Sequence, residues 1–233
     1  GINRINLAVS YLTNPEVTQS VGIDDARKNQ LLGECYFLRA FYYFDLINNF
    51  GDVPLLTKPL KSFSEAFEVA VRIPATEIWA QINSDLLAAK GLLPNSKYPS
   101  PSEPWRASKG AVIALQAKVA LFNKDWPGVI TLVNELDNLG FYSLNINYFD
   151  SFDVAKEFSD NEVIFAYDHV SNQNPRKGNG LCALIGWGFV APSPDFLNAF
   201  ETSDPRLLYT VDVTNQNVSK LLGNTVGDNK GND

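Results

Sequence analysis

Along residues 24–48 the apolar positions recur at the spacings of an α-helix buried on more than one side. Leu31, Cys35, Leu38 and Tyr42 form one stripe at steps of four, three and four, and Phe37, Phe41 and Phe44 form a second stripe beside it. Asp24 or Asp25 supplies the N-cap, and Gly51, Asp52 and Pro54 are stop signals. Six of the nine residues in 36–44 are aromatic, so the surrounding elements are expected to pack closely around this stretch. The pattern predicts the central helix of a layered arrangement.

A second helix is predicted over 76–90, with Thr76 as N-cap, Trp79, Ile82, Leu86 and Ala89 on one face, and Gly91 and Pro94 ending it. Prolines at 94, 99, 101 and 104 make the next stretch an extended loop. A third helix is expected over 107–122, carrying a large-residue stripe of Val112, Leu115, Val119 and Phe122. Its small-residue stripe of Ala114, Ala117 and Ala120 admits a close neighbour. Residues 123–126 turn the chain into a fourth helix that ends near Leu139. Pro127 lies in its first turn, Val129, Leu132, Val133 and Leu136 face inward, and Gly140 closes it. Starts near 76 and 107 are about 31 residues apart, close to the 34-residue period of tetratricopeptide repeats.

Beyond Gly140 the pattern changes. Residues 141–152 are rich in Asn and aromatics, 162–167 alternate as a short strand does, and 171–180 are polar with Pro175 and two glycines. Ser193 as N-cap and Pro194 at the first helical position open a short helix that runs to about Phe200. From residue 210 onward the chain is polar and rich in Asn and Gly. The expected fold is therefore mainly α, with a helical repeat-like scaffold of antiparallel neighbours over 1–140. A loop-rich, partly β part follows over 141–209, then a polar tail over 210–233.

Composition narrows the chemistry. The 233 residues are 45% hydrophobic and 19% charged, the balance of a packed globular chain. The net charge of -7 has the wrong sign for a surface that must neutralise phosphates, so nucleic acid is not an expected partner. One His and two Cys, Cys35 and Cys182, are too few for a structural zinc site or a disulfide scaffold, and they read as unpaired small hydrophobes. No metal and no cofactor is expected. There is no Met, so Gly1 is read as the start of a processed or trimmed piece. The longest apolar run, 181–191, is about half of what spans a bilayer.

Each chemical motif carries a structural alternative. Residues 178–183 fit G-x-G-x-x-A, but no βαβ unit surrounds them, and a flexible loop is the better reading. His169 follows Asp168, yet neighbours on a strand point to opposite faces, and no nucleophile elbow accompanies the pair. Asp150, Asp153, Glu157, Asp160 and Glu162 read as a solvated acidic loop rather than a glycosidase pair, which needs a defined separation across a cleft. Trp79, Trp126, Tyr36 and Tyr42 lie in helical stripes or a helix turn and are expected in the core. Trp187 lies between Gly186 and Gly188, where a flat ring can face the apolar side of a sugar; burial beneath the 192–200 segment is the competing role. Ligand is expected along 167–189, contacting Trp187, His169, Asn172, Gln173, Asn174 and Arg176.

One segment carries a family resemblance. Leu32-Gly33-Glu34-Cys35-Tyr36-Phe37-Leu38-Arg39-Ala40-Phe41-Tyr42-Tyr43-Phe44-Asp45-Leu46, followed by Phe50-Gly51-Asp52-Val53-Pro54-Leu55, closely resembles the most recognisable helix of the SusD/RagB-like outer-membrane lipoproteins. Three more segments support it in the right order: 78–94, 107–126, and Gly186-Trp187 through Phe200-Glu201 to Asp204-Pro205-Arg206. The resemblance implies tetratricopeptide-like helix pairs carrying a loop-rich ligand-binding part. It also implies a non-catalytic glycan-binding protein at the outer-membrane surface, delivering nutrient to a SusC-like TonB-dependent transporter and held by a lipid anchor outside this chain. Members of that family are longer, with an additional helical segment at the start and an Arg-Tyr-Ala helix later, so both ends of the expected fold are read as absent. A helical-repeat scaffold that binds protein or peptide is the alternative, and a glycan-cleaving enzyme is weaker because no acid/base pair can be named.

Overall fold

A computed structural model describes residues 1–99, 103, 106–152, 156, 160–166 and 193–210. Their helices are α1 (Ile2–Leu12), α2 (Pro15–Ser20), α3 (Asp25–Phe50), α4 (Phe63–Glu68), α5 (Ala75–Leu92), α6 (Lys109–Phe122), α7 (Trp126–Asp137), α8 (Pro194–Asn198) and α9 (Arg206–Thr210). A 3-10 turn spans Tyr148–Phe152. The chain divides into two compact units, Gly1–Tyr142 and Ser143–Asp233. Among the described residues no helix is long and apolar enough to cross a membrane.

In the first unit α3 is the axis. Asp24 caps it by accepting from Arg27 N at 2.8 Å, and Gly51 ends it at φ 66°, a conformation that favours glycine. The Gly51–Asp52 turn also starts α5, because the Asp52 carboxylate accepts from Ala75 N at 2.8 Å. That bond does the work of an N-cap side chain, which Pro74 cannot supply. Val53 and Ile73 form an antiparallel bridge that closes the intervening loop, the one isolated bridge among the described residues.

Helix α5 runs antiparallel to α3, since Gly33 packs on Leu93, Arg39 pairs with Asp85, and the rings of Phe44 and Trp79 meet edge-on at 5.9 Å. Helix α6 runs parallel to α3, with Glu34 reached by Arg106 just before it and Phe44 by Phe122 at its end, 5.1 Å between centroids. Helix α7 folds back along α6 and reaches α5 through Lys90 and Glu135 at 2.6 Å. These are the antiparallel helix pairs expected from the sequence. The core between them is Phe37, Ala40, Tyr43 and Phe44 of α3, Ile78, Ile82, Leu86 and Ala89 of α5, and Ala111, Val112, Ile113, Leu115 and Val119 of α6. Each large aliphatic or aromatic side chain buried there contributes about 1.5–3 kcal/mol.

Several expectations are corrected. The sequence pattern named no element in residues 1–20, yet α1 packs antiparallel on α3, with Gly1 against the Tyr42 ring, Asn6 bonded to Arg39, and Leu12 and Leu32 lining one groove. The stripe of Leu31, Cys35, Leu38 and Tyr42 is only the flank of α3, and the buried face is Leu32, Gly33, Phe37, Ala40, Tyr43, Phe44 and Ile47. Phe41 and Tyr42 are both 42% exposed, because three neighbouring helices cannot surround every side of a 26-residue helix. Trp126 is 58% exposed and Val133 is 42% exposed. Helix α7 has no buried residue, since it stands at the outside of its pair.

In the second unit residues 162–166 make bends rather than a strand, and Tyr167 lies outside the described residues. Ser193 and Pro194 open α8 as expected, the Ser193 hydroxyl accepting from Phe196 N at 3.1 Å.

Candidate functional site

Two polar clusters occupy the first unit, and both hold the scaffold. Arg39, in the middle of the aromatic stretch of α3, donates to Asp85 Oδ2 through Nε at 2.8 Å and to Oδ1 through Nη2 at 2.6 Å. Its Nη1 donates to Asn6 Oδ1 at 2.9 Å, and the Asn6 amide donates to Leu56 O at 2.9 Å. Asn6, Arg39 and Asp85 are all buried. Burial works against the guanidinium charge, but the two Asp85 oxygens outweigh it and hold Arg39 above its ordinary value. Tyr43 Oη accepts from Leu56 N at 2.6 Å, and its proton points to the carbonyl oxygens of Leu56 and Pro54. Together these residues fasten α1, α3, α5 and the 52–60 loop to one another. The sequence signal was available: a lone Arg and a lone Asp, each within an otherwise apolar helical stripe.

The second cluster is a closed ring. Arg27 donates to Gln30 Oε1 at 3.0 Å, Gln30 to Glu34 Oε1 at 3.1 Å, and Arg106 to Glu34 Oε2; Arg106 also donates to Glu103 at 2.7 Å, and Arg27 to Glu103 at 3.4 Å. The loop between α5 and α6 is thereby clipped to α3, and Lys109 N closes its base on Pro94 O at 3.2 Å. Burial raises the Glu34 carboxyl above its ordinary value despite Arg106 and Gln30, whereas Arg106 lowers Glu103. Cys35 is a free, half-buried thiol pushed up by burial and by the Glu34 charge, which favours its protonated form.

In the second unit Asp160 is buried rather than solvated. Its Oδ1 accepts from Asn145 Nδ2 at 2.6 Å and from Glu162 N at 2.7 Å. Glu162 accepts from Asn145 N at 2.6 Å and from Ser151 Oγ at 3.1 Å, and Asp150 pairs with Lys156 at 2.6 Å. This corrects the expectation of a solvated acidic loop: these carboxylates are acceptors that tie Asn145, Ser151 and Lys156 together. Asp153 and Glu157 lie outside the described residues. Among the described residues no group of three His, Cys, Asp or Glu side chains could hold a metal ion.

The residues expected to contact ligand, Trp187, His169, Asn172, Gln173, Asn174 and Arg176, all lie outside the described residues, as do Cys182 and the 178–183 glycine motif. The expected core residues divide: Tyr43, unremarked in the sequence, is fully buried, while Tyr36 and Trp79 are half-buried.

Comparison with known proteins gives this geometry its setting. Residues 1–121 match the SusD-like family described as starch-binding associating with outer membrane. SusD-like protein P25 of Formosa agariphila is 30% identical over 146 residues, 63% of this chain and 27% of that protein. The fold superposes on a SusD-like protein from Bacteroides fragilis with a TM-score of 0.70 and 28% identity, over 86% of this chain and 40% of that one. It superposes on a laminarin-binding SusD-like protein with a TM-score of 0.69 and 28% identity, over 79% of this chain and 41% of that one. The chain thus spans well under half the length of these relatives.

Proposed function

The chain belongs to the SusD-like family, and from that premise we propose that it is part of a non-catalytic protein that binds glycan at the outer-membrane surface and passes it to a TonB-dependent transporter. The observation that carries the reading is the superposition on a laminarin-binding protein at 28% identity over 79% of the chain. The division of labour follows the sequence. Residues 1–140 are the scaffold, 141–209 carry the ligand-binding part, and 210–233 are a polar tail. The first unit supports this: the buried side chains of α3, α5 and α6 are spent on one another, and its two polar clusters are closed on themselves. Specificity then falls to Trp187 as a stacking ring, with His169, Asn172, Gln173, Asn174 and Arg176 bonding hydroxyls around it.

Native electrophoresis through gels containing laminarin, starch and other polysaccharides tests the reading. Retardation in at least one gel, with no release of reducing ends in solution, is the expected result. Reducing-end release would assign an enzyme instead. Within a retarding gel, Trp187→Ala should weaken retardation more than Asn174→Ala does, since loss of a stacking ring costs more than loss of one rim hydrogen bond. Retardation of Trp187→Ala equal to that of the unmodified chain, with unchanged circular dichroism, would remove Trp187 from the site.

A further inference from the structure

The corner between α1 and α2 leaves a groove of ≈ 560 Å³ against the first turns of α3, within the range of small-ligand sites. Leu12, Ile23 and Leu32 form its apolar side. The remaining lining has a definite hydrogen-bond character. Thr13 and Thr18 spend their hydroxyl protons on Val9 O at 2.8 Å and Pro15 O at 3.1 Å, which leaves their oxygens as acceptors. Gln19 brings an amide with two donors and an acceptor. Lys28 donates to Asp25 at 2.5 Å and keeps two further N–H donors, so the charges at the rim are balanced.

We propose that this groove is a second carbohydrate contact, taking a short stretch of a neutral oligosaccharide. The assignment rests on the glycan-binding reading above and adds to it a site on the helical scaffold. A pyranose presents C–H faces that suit aliphatic side chains, and hydroxyls that each need both a donor and an acceptor. The groove offers both. Its paired Lys28 and Asp25 leave no net charge to recruit a phosphate or a carboxylate. No aromatic ring lines it, so a sugar gains no stacking there and affinity at this site alone is weak. A long polysaccharide held elsewhere on the protein gains from such a contact through effective concentration.

The test is a titration of the ¹⁵N-labelled full chain with laminarihexaose, maltohexaose and, separately, inorganic phosphate. One hexaose should shift the amides of Thr13, Thr18, Gln19, Gly22 and Lys28 in a saturable way, and phosphate should not. Thr18→Val combined with Gln19→Ala should raise the Kd for those shifts by about tenfold, as the loss of two hydrogen-bonding groups does, with the melting temperature unchanged. Hexaose-induced shifts confined to residues outside the groove would overturn this proposal and leave the glycan-binding reading standing. No shift anywhere with either hexaose would overturn the groove proposal, whereas the glycan-binding reading stands or falls on the gel panel. Equal shifts with phosphate, or an unchanged Kd in the double variant, would overturn the neutral-sugar assignment.

Discussion

Gly33 marks the closest approach of α3 to the end of α5. A Cβ there would stand 2.8 Å from Leu93 Cγ and 3.1 Å from Leu92 Cβ, so Gly33→Ala should cost about 1–3 kcal/mol through overpacking. Gly110 is held in the same way by Tyr142, whose ring edge would meet a Cβ at 2.7 Å. Phe37 is 2% exposed and Phe41 is 42% exposed, so their truncations should separate. Phe37→Ala is expected to lose about 3–5 kcal/mol. Phe41→Ala should lose under about 1.5 kcal/mol, in urea unfolding followed by fluorescence. The sequence placed both rings in one stripe because spacing reports which residues share a face, not how far a neighbour covers it. At Asp85 the expected change is larger. Asp85→Ala strands the buried Arg39 charge and should cost about 3–5 kcal/mol, whereas a well-packed apolar replacement of both partners should cost far less.

At the scale of elements, the sequence located α3, α5, α6 and α7 to within a few residues, since each combines a helical stripe with a cap or a stop. The N-terminal cap of α5 was misplaced onto Thr76, because the group that satisfies Ala75 N comes from Asp52, 23 residues away. Helix α1 was missed although Ile2, Ile5, Val9 and Leu12 recur at helical steps; polar residues interrupt them, and Asn6, buried against Arg39, looks like a surface position in sequence. The clip between α3 and the α5–α6 loop has a pH signature. Burial holds Glu34 above its ordinary value, so the folded chain binds this proton more tightly than the unfolded chain does. Its contribution to stability is therefore greatest below the unfolded value of 4.5 and is lost as pH rises through the raised folded value. Glu103 works the other way, contributing above 4.5 and losing that contribution as pH falls through its lowered value. Glu34→Gln removes the first effect. The stability of Glu34→Gln relative to wild type should increase from about pH 4.5 to about pH 7.5, read from urea midpoints at each pH. A difference that is flat across that range would show that Glu34 titrates alike in both states.

For the whole molecule, family membership was legible because the aromatic helix and its Phe-Gly-Asp-Val-Pro-Leu sequel are built into the scaffold. Arg39 joins three helices and a loop, Tyr43 fixes that same loop, Gly51 makes the turn, and Asp52 caps α5. The second unit was less legible, since a loop's polar residues carry no periodicity to say which of them converge. The acidic stretch illustrates this. Asp160 and Glu162 read as solvated, yet they organise Asn145 and Ser151 through hydrogen bonds that no spacing encodes. Whether this scaffold serves a non-catalytic glycan binder is decided by migration through the polysaccharide gel panel. Retarded migration in at least one glycan gel without release of reducing ends is the expected result, and unretarded migration of the folded chain in every gel would contradict a glycan-binding role.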